Sequence, residues 1–421
     1  MDSKFEKGNF KIYSLIEEEI SRQQKGLTLI PSENYASAEV LKAMGTPLSN
    51  KYSEGYPQKR YYSGNKIIDE IEKIAINEAK KIFNADHANV QPHSGSQANE
   101  AAYLAVLKPG DRILALDLSA GGHLSHGAKI NFSGRFYNFF HFGVNKEREM
   151  IDFKEVEDLA LKCEPKMIIA STTSYSRTLD FNKFREIADK VKAYLLADIA
   201  HIAGLVITGV HPHPFPAADI VTTTTHKTLR GPRGGLILSR AKDRIDGGSL
   251  AEKIDRAVFP GVQGGPLEHV IAAKAICFRE AKEKSFVDYQ KKVVSNSKAM
   301  VKIFKDQGFR IVSGGTDNHL FVVDVSSSNN SSLEIQEGLE KVGIFVNRNK
   351  IPFDENPAFN PSGIRMGTPA VTTRGFGEKE VKELAEMICQ LIKNINSREV
   401  KISIKKRVKE LCLRFPIYGG F

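Results

Sequence analysis

Short apolar runs that alternate with helical segments are the feature that most constrains the fold of this chain. Such runs occupy Arg112–Leu116 and residues 167–170, 193–197 and 219–222, and residues 181–191 between two of them have the apolar spacing of a helix. Short, almost continuously apolar runs are typical of strands that are buried on both faces of a parallel sheet. Their alternation with helices predicts an α/β fold with a mostly parallel sheet.

After about residue 280, the predicted strands and helices follow a different order. Predicted strands and helices follow one another over residues 317–324, 332–342, 364–367 and 378–394. This pattern indicates a smaller α+β domain, and a long helix from Glu268 to Phe304 is expected to bridge the two domains. We therefore expect an N-terminal helical arm, a large domain and a small domain over residues 1–25, 26–280 and 281–421.

Charge and composition narrow the class of protein. The 421-residue chain has a formal net charge of +10, and its one basic cluster, residues 401–409, has apolar residues at helical spacing. A solvated helix face explains this cluster better than nucleic-acid binding. No apolar run is long enough to cross a bilayer, the first residues lack a secretory signal, and the four cysteines form no CxxC pair. We expect a cytoplasmic protein that does not bind membranes and has no metal site.

Lys227 stands at a junction that suits covalent chemistry. A threonine-rich strand is predicted over residues 220–225, a glycine-rich basic turn over residues 230–235, and a further strand over residues 236–239. A lysine at such a junction is held by rigid backbone and points into a cleft, as a Schiff-base lysine must. Most lysines are ordinary solvated residues, so Lys227 alone does not establish a function.

Two further patterns are candidates for ligand binding. Ser94, Gly95 and Ser96 precede a predicted helix over residues 97–107, whose free N–H groups and positive dipole end can bind phosphate. Ordinary helix capping produces the same pattern. Asp198 follows a predicted buried strand, at the edge where α/β sheets bind ligands, although an N-cap would also explain it.

These patterns together match the needs of pyridoxal 5'-phosphate (PLP). The cofactor requires a phosphate anchor, an anion at its ring nitrogen and an amine for its aldehyde. His123 follows a glycine pair and could stack on the ring, while His201 either supports Asp198 or is a core histidine. Arg365 on a short predicted strand can hold a carboxylate through two hydrogen bonds, which indicates an amino-acid substrate; a structural ion pair is the alternative.

Residues 50–64 are rich in tyrosine and charge and poor in apolar side chains. Glu54 is a candidate general acid or base. Hydroxyl donors near it in sequence are Tyr52, Tyr61 and Tyr62. An exposed loop with aromatic anchors would have the same composition if no cofactor lay nearby.

The chain closely resembles the serine hydroxymethyltransferase (glycine hydroxymethyltransferase) family over nearly its full length. The most specific segments are Glu54-Gly-Tyr-Pro57 and Thr225-His-Lys227. Other matching segments are residues 30–35, 93–99, 259–266, 316–320, 362–369 and 415–418. The resemblance implies a fold-type I PLP-dependent transferase, with a mostly parallel seven-stranded sheet in the large domain and a small C-terminal α+β domain. It also implies a homodimer or a dimer of dimers with shared active sites.

The resemblance implies a role for each of several residues. The catalytic residues would be Lys227 as the aldimine lysine, Asp198 at the pyridine nitrogen, His123 stacked on the ring, and Glu54 and Tyr62. The cofactor-binding residues would be Tyr52, Ser94, Gly95, Ser96, His123, Thr173, Asp198, His201, His226, Lys227 and Gly265, with Tyr52 and Gly265 reaching the phosphate in a partner subunit. The substrate-binding residues would be Ser32, Glu54, Tyr62, Arg365, Leu118, Gly122, Leu124, Asn349 and Phe259, the last from the neighbouring chain.

The implied reaction is the reversible conversion of L-serine and tetrahydrofolate to glycine and 5,10-methylenetetrahydrofolate. Ser63, Lys66, Ala120 and Thr173 depart from the usual family pattern. Since Ser63 and Lys66 are close in sequence to the folate-side tyrosines, a modified pterin acceptor is an alternative. A PLP-dependent aldolase acting on 3-hydroxy amino acids would not need Glu54, and a binding or scaffold protein would not need Lys227.

Overall fold

A seven-stranded sheet organises Asn34–Lys291. The computed structural model describes residues 11–418. The strands lie in the spatial order His87–Asn89, Gly235–Ser239, Ile220–Thr224, Tyr194–Asp198, Met167–Ser171, Arg112–Leu116 and Asn138–Phe142. The Gly235–Ser239 strand is antiparallel to both neighbours, and every other pair in the sheet is parallel. The predicted α/β fold with a mostly parallel seven-stranded sheet is therefore confirmed.

Burial explains why these segments are strands. Met167–Ser171, Tyr194–Asp198 and Ile220–Thr224 are buried at every position, as expected for central strands covered on both faces. The edge strand Asn138–Phe142 is largely exposed apart from its last residue. The central strands therefore hold the rigid positions from which loops at their carboxyl ends project.

Helices and short elements complete this part of the chain. The helices are Ala38–Met44, Lys66–Ile82, Gly95–Val106, Phe132–Phe136, Phe153–Cys163, Phe181–Lys190, Ala203–Ile207, Leu250–Arg256 and Glu268–Glu280, with a 3-10 turn at Pro47–Asn50 and a π-helical turn at Ala257–Val262. A short hairpin pairs Gly55–Tyr56 with Lys59–Arg60. Helix starts follow capping rules: Asp180, for example, accepts hydrogen bonds from the N–H groups of Asn182 and Lys183, both at 3.1 Å.

The predicted continuous helix from Glu268 to Phe304 is wrong. The structure has two helices, Glu268–Glu280 and Lys284–Asp306, separated by residues 281–283. Ala281 and Phe286 are both buried, so apolar side chains continue through the break. Apolar spacing alone therefore does not reveal where the first helix ends.

The second unit combines the N-terminal segment through Glu33 with the chain from Lys292 onward. Its antiparallel sheet has the order Arg310–Ile311, Leu320–Asp324, Gly363–Gly367 and Asn347–Asn349. A separate parallel pair joins Leu27–Thr28 to Ile344–Phe345. The helices are Lys11–Lys25, Ser332–Lys341, Pro369–Thr373, Glu378–Lys393 and Arg398–Arg414, with a 3-10 turn at Val312–Gly314. The domain bounds given above stay a prediction.

A buried arginine ties the two ends of the chain into this second unit. The guanidinium of Arg374 is buried and donates to the backbone carbonyl oxygens of Gln23 at 3.1 Å, Gln24 at 2.9 Å, Gly26 and Phe415 at 3.0 Å, and Cys412 at 3.4 Å. These hydrogen bonds satisfy a buried cation that has no carboxylate partner at those distances within residues 11–418.

The four cysteines are all buried with free thiols. Across residues 11–418, none of the helices combines the length and the apolar character that a membrane crossing requires.

Candidate active site

Asp198 is a buried acid at the carboxyl end of the Tyr194–Asp198 strand. Its Oδ2 accepts a hydrogen bond from Asn99 Nδ2 at 2.9 Å and lies 3.2 Å from His126 Nε2, and its Oδ1 accepts from the Ala200 N–H at 3.0 Å. Burial by itself raises the pKa of this carboxyl. Hydrogen bonds from His126 and Asn99, with the His126 charge, outweigh burial and hold the pKa well below its usual range. Asp198 is therefore ionised at neutral pH.

The two side chains that hold this carboxylate are themselves fixed by hydrogen bonds. Asn99 Oδ1 accepts from Thr222 Oγ1 at 2.6 Å, and Asn99 Nδ2 also donates to Ser125 Oγ at 2.9 Å. His126 Nδ1 lies 3.1 Å from Ser171 Oγ. Since Thr222 and Ser171 belong to the strands on either side of the acid, the sheet itself sets the orientation of the network.

His123 connects to the same network. Its Nδ1 lies 2.7 Å from Ser125 Oγ, and its ring centroid is 5.7 Å from that of His126 in an edge-to-face arrangement. Ser125 also accepts the hydrogen bond from Asn99. The orientation of the His123 ring is thus coupled to the side chains that hold the buried acid.

Lys227 lies three residues beyond the Ile220–Thr224 strand, and its carbonyl oxygen accepts a hydrogen bond from Asn34 Nδ2 at 2.9 Å. Beside it, burial lowers the pKa of His226 to about 3, and the charges of Lys227 and Arg233 act in the same direction. The Nδ1 of His226 is buried and has no hydrogen-bond partner within residues 11–418. A buried ring nitrogen without a partner is costly, which indicates a site that receives a polar ligand.

The Gly95–Val106 helix begins close to the strand that leads to Lys227. Ser94 caps the helix by accepting a hydrogen bond from the Gln97 N–H at 3.3 Å. A Cβ atom at Gly95 would lie only 2.7 Å from Cγ2 of Thr224, the last residue of that strand. Glycine is therefore needed for this close approach, which places the start of the helix against the end of the strand that precedes Lys227.

An aromatic cluster surrounds Glu54. The Tyr52 hydroxyl donates to Glu54 Oε1 at 3.4 Å, and the rings of Tyr52 and Tyr62 meet edge to face with centroids 5.0 Å apart. The Glu54 charge raises the pKa of Tyr62. Tyr61 is 76% exposed and contacts Phe259 at a centroid distance of 5.7 Å. The structure thus brings the predicted hydroxyl donors and carboxylate together.

A glycine pair packs against this cluster. A Cβ atom at Gly265 would lie 3.3 Å from the Tyr52 ring, and one at Gly264 would lie 3.0 Å from Glu54 Oε1. The geometry therefore brings Gly265 and Tyr52, which are far apart in sequence, into one site.

A buried carboxyl holds the Tyr52–Glu54 segment through a hydrogen bond with Ser53. Glu268 is buried, and its Oε1 accepts a short hydrogen bond from Ser53 Oγ. Burial raises the pKa of Glu268 to about 7. Its Oε2 has no hydrogen-bond partner in the part of the chain that the structure describes, which is consistent with a carboxyl that resists ionisation.

Comparison with known proteins identifies the family. The family model for serine hydroxymethyltransferase matches residues 5–388. A serine hydroxymethyltransferase of Coprothermobacter proteolyticus is 55% identical over 416 residues, which is 99% of this chain and 98% of the relative. Two from Pseudomonas savastanoi pv. phaseolicola, named serine hydroxymethyltransferase 1 and 2, are 53% and 52% identical over 97% of this chain and 97% and 96% of their own lengths. The chain belongs to the serine hydroxymethyltransferase family.

The family implies PLP as cofactor and tetrahydrofolate as co-substrate. The donor set of this serine hydroxymethyltransferase site fits PLP. Asp198 offers a buried anion, the unpartnered Nδ1 of His226 offers a polar contact, and Gly95 opens the helix N-terminus beside the strand of Lys227. These are the features that a pyridinium nitrogen, a phosphate and an aldehyde require.

Loops at the carboxyl edge of the sheet carry further predicted residues. Gly122 approaches the Leu116 carbonyl so closely that a Cβ atom would lie 2.2 Å from the oxygen, and the Thr173 N–H donates to the Gly121 carbonyl at 2.9 Å. Leu118 and Leu124, predicted to contact the pterin, are both exposed, as is Ser96. The His201 carbonyl accepts a hydrogen bond from Thr228 Oγ1 at 3.0 Å.

Three predicted substrate-binding residues belong to the second unit. Arg365 lies on the Gly363–Gly367 strand, is buried, and donates from Nε to Asn347 Oδ1 at 3.1 Å. Burial lowers the pKa of Arg365 to about 10, so the guanidinium stays charged at neutral pH. Ser32 is partly exposed, and Asn349 donates from Nδ2 to the Lys350 carbonyl at 2.6 Å.

The sequence patterns did not single out the residues around Asp198. These are Asn99, Ser125, His126, Ser171 and Thr222. Asn99 ends the recognised segment 93–99, and His126 lies three residues after His123, so a polar side chain close to a recognised residue was the available signal.

The buried Glu268 carboxyl predicts a pH dependence of stability. Its pKa in the folded chain is about 7, against roughly 4.3 when unfolded, so the folded state binds more protons between these values. Stability from this group is therefore present below about pH 4.3 and falls by on the order of 2–4 kcal/mol as the pH rises to 7. Glu268→Gln keeps an acceptor for Ser53 but removes the titratable carboxyl. It should therefore remove that decline in stability.

Urea unfolding of both proteins at a series of pH values measures this effect. The matched control is Glu283→Gln, since Glu283 is exposed in the turn that follows the same helix. An unchanged pH slope in Glu268→Gln would show that the buried carboxyl does not titrate in this range.

Proposed function

We propose that the chain converts L-serine and tetrahydrofolate reversibly to glycine and 5,10-methylenetetrahydrofolate with PLP as cofactor. The observation that carries this proposal is the buried, ionised Asp198 in the same sheet edge as Lys227, in a chain that is 55% identical over its length to a serine hydroxymethyltransferase. When bound, PLP supplies a sink for the electrons released at the substrate Cα.

Lys227 and Asp198 are the proposed centre of the site. Lys227 binds the cofactor aldehyde through its amine, and Asp198 holds a proton on the ring nitrogen. The low pKa of Asp198 supports this role, because only an ionised carboxylate favours a protonated pyridine nitrogen. His123 stacks on the ring, and its link to Ser125 keeps the imidazole plane fixed.

The remaining cofactor contacts form two groups. Ser94, Gly95 and Ser96 with His226 bind the phosphate and ring, since the helix N-terminus and the unpartnered Nδ1 of His226 supply polar contacts. Thr173 and His201 contact the cofactor from the loops that follow the neighbouring strands.

Different residues are proposed to recognise the carboxylate, the hydroxymethyl group and the pterin. Arg365 and Ser32 bind the carboxylate of serine, and the charge of Arg365 at neutral pH supports that role. Glu54 and Tyr62 hold and move the proton of the hydroxymethyl group, since their interaction keeps Tyr62 protonated. The proposed pterin contacts are Leu118, Gly122, Leu124, Asn349 and Phe259.

We also propose a homodimer or a dimer of dimers with shared sites, in which Tyr52 and Gly265 reach the phosphate bound by a partner subunit and Phe259 contacts the neighbouring pterin. The contact between Gly265 and the Tyr52 ring supports their acting together. The exposure of Tyr52, Tyr61 and Tyr62 supports a surface that a second subunit covers.

Lys227→Ala tests the proposed reaction. Removing the amine removes the covalent attachment of the cofactor, so serine turnover should fall by at least roughly a thousandfold. Glycine formation from serine, measured with and without tetrahydrofolate, gives the result. The control Lys405→Ala removes an exposed lysine and should retain full activity. If the wild-type chain cleaves serine equally fast with and without tetrahydrofolate, that result would instead support an aldolase.

Arg365→Ala tests the proposed carboxylate contact. A lost charged hydrogen bond costs about 1.5–3 kcal/mol, so the KM for serine should rise roughly 10- to 150-fold, with a smaller change in kcat. The control Arg310→Ala removes an arginine from the same sheet that pairs with Asp324 at 2.6 Å, and it should leave KM unchanged. An unchanged serine KM in Arg365→Ala would contradict the assignment.

A further inference from the structure

Lys274 is a buried lysine in the Glu268–Glu280 helix that has no part in the proposed chemistry. Only 1% of its surface is exposed. Its ammonium donates to three backbone carbonyl oxygens, those of Val90 at 2.6 Å, Gly235 at 2.7 Å and Pro92 at 3.1 Å. Burial lowers the pKa of Lys274 to about 7, but three carbonyl acceptors favour the ammonium, which has three donors and no acceptor.

The three carbonyls belong to two segments beside the proposed phosphate cradle, a name used here for Ser94, Gly95 and Ser96. Residues 90–92 lead directly into Ser94, while Gly235 ends the glycine-rich turn that follows Lys227. The segments also meet directly, since the Gly235 N–H donates to the Pro92 carbonyl at 2.9 Å. A Cβ atom at Gly235 would lie 2.3 Å from the Ser94 carbonyl oxygen. The ammonium therefore joins the two segments where they approach most closely.

The surrounding residues leave space for Lys274 and for little else. A Cβ atom at Gly234 would lie 2.5 Å from Lys274 Cε. Burial of an ammonium is costly unless it is hydrogen-bonded, and an apolar side chain of similar length would deprive three carbonyl oxygens of the Lys274 donors. The ammonium therefore contributes contacts that packing alone does not.

The charge of Lys274 acts on the residue before the cradle. Burial is the main cause that lowers the pKa of His93, and the positive charge of Lys274 is the next. Because His93 directly precedes Ser94, the electrostatic potential from the ammonium extends to the start of the cradle.

We propose that Lys274 is a positioning residue for the phosphate cradle. It holds residues 90–92 against Gly235, and it places a positive charge behind Ser94, Gly95 and Ser96. The proposal rests on the proposed binding of PLP at this site. Lys274 therefore strengthens the binding of ligands that carry the phosphate group more than the binding of ligands that lack it.

Lys274→Met and Lys274→Gln test this role. Methionine removes the charge and all three donors, and glutamine restores two N–H donors without the charge. Full-length apoprotein is titrated with PLP and, separately, with pyridoxal, which has the aldehyde but no phosphate, and visible absorption gives each dissociation constant. In Lys274→Met the PLP dissociation constant should rise about tenfold or more, while that of pyridoxal changes less than about threefold. The PLP dissociation constant of Lys274→Gln should lie between those of Lys274→Met and wild type.

Arg374→Met is the matched control. Arg374 is also a buried cation that donates to several backbone carbonyls, but it belongs to the second unit. Its loss should lower the thermal unfolding temperature and leave the PLP dissociation constant unchanged. That contrast separates an effect on the cradle from a general loss of stability.

Two results would overturn the role of Lys274. One is an unchanged PLP dissociation constant in Lys274→Met; the other is equal weakening of PLP and pyridoxal, which a general structural defect would produce. If Lys274→Met does not fold, the ratio of the two constants in Lys274→Gln decides by the same criterion. Failure of the wild-type chain to bind PLP would overturn the proposed function as well, so the two failures are distinguishable.

Discussion

The site depends on keeping one carboxylate, that of Asp198, ionised while it is buried at the carboxyl edge of a parallel sheet. Burying a charge of this kind is costly unless hydrogen bonds and an opposite charge compensate for it. His126 and Asn99 provide that compensation, and Ser171 and Thr222 on the flanking strands fix both of them. The negative charge is therefore oriented before any ligand arrives, which is the arrangement that makes electrostatic stabilisation effective.

The chemistry at the strand ends could be predicted because its signals are local. Each central strand is a short apolar run, and a polar residue just beyond the run lies at the ligand-binding edge of the sheet. Asp198 and Lys227 were recognised in this way, and the Arg112–Leu116 strand has the predicted bounds. The tyrosine-rich hairpin was recognised from its composition, since it offers little to a core.

The supporting side chains could not be predicted because their partners are distant in sequence. His126 and Asn99 reach Asp198 across 72 and 99 residues, so no local pattern connects them. Lys274 lies in a helix where a lysine is usually solvated, and its buried contacts are made with two segments that lie 39 and 184 residues earlier in the chain. The break before Lys284 is hidden because buried apolar residues continue across it.

The most direct test of this account is the kcat of Asp198→Asn, measured with PLP bound. Asparagine preserves the size of the side chain but removes the negative charge, and the phosphate cradle and Lys227 stay intact. The account predicts that PLP still binds while kcat for serine cleavage falls by roughly 10²–10³-fold. A variant that binds PLP and retains kcat within about threefold of wild type would contradict the claim that catalysis depends on the buried charge of Asp198.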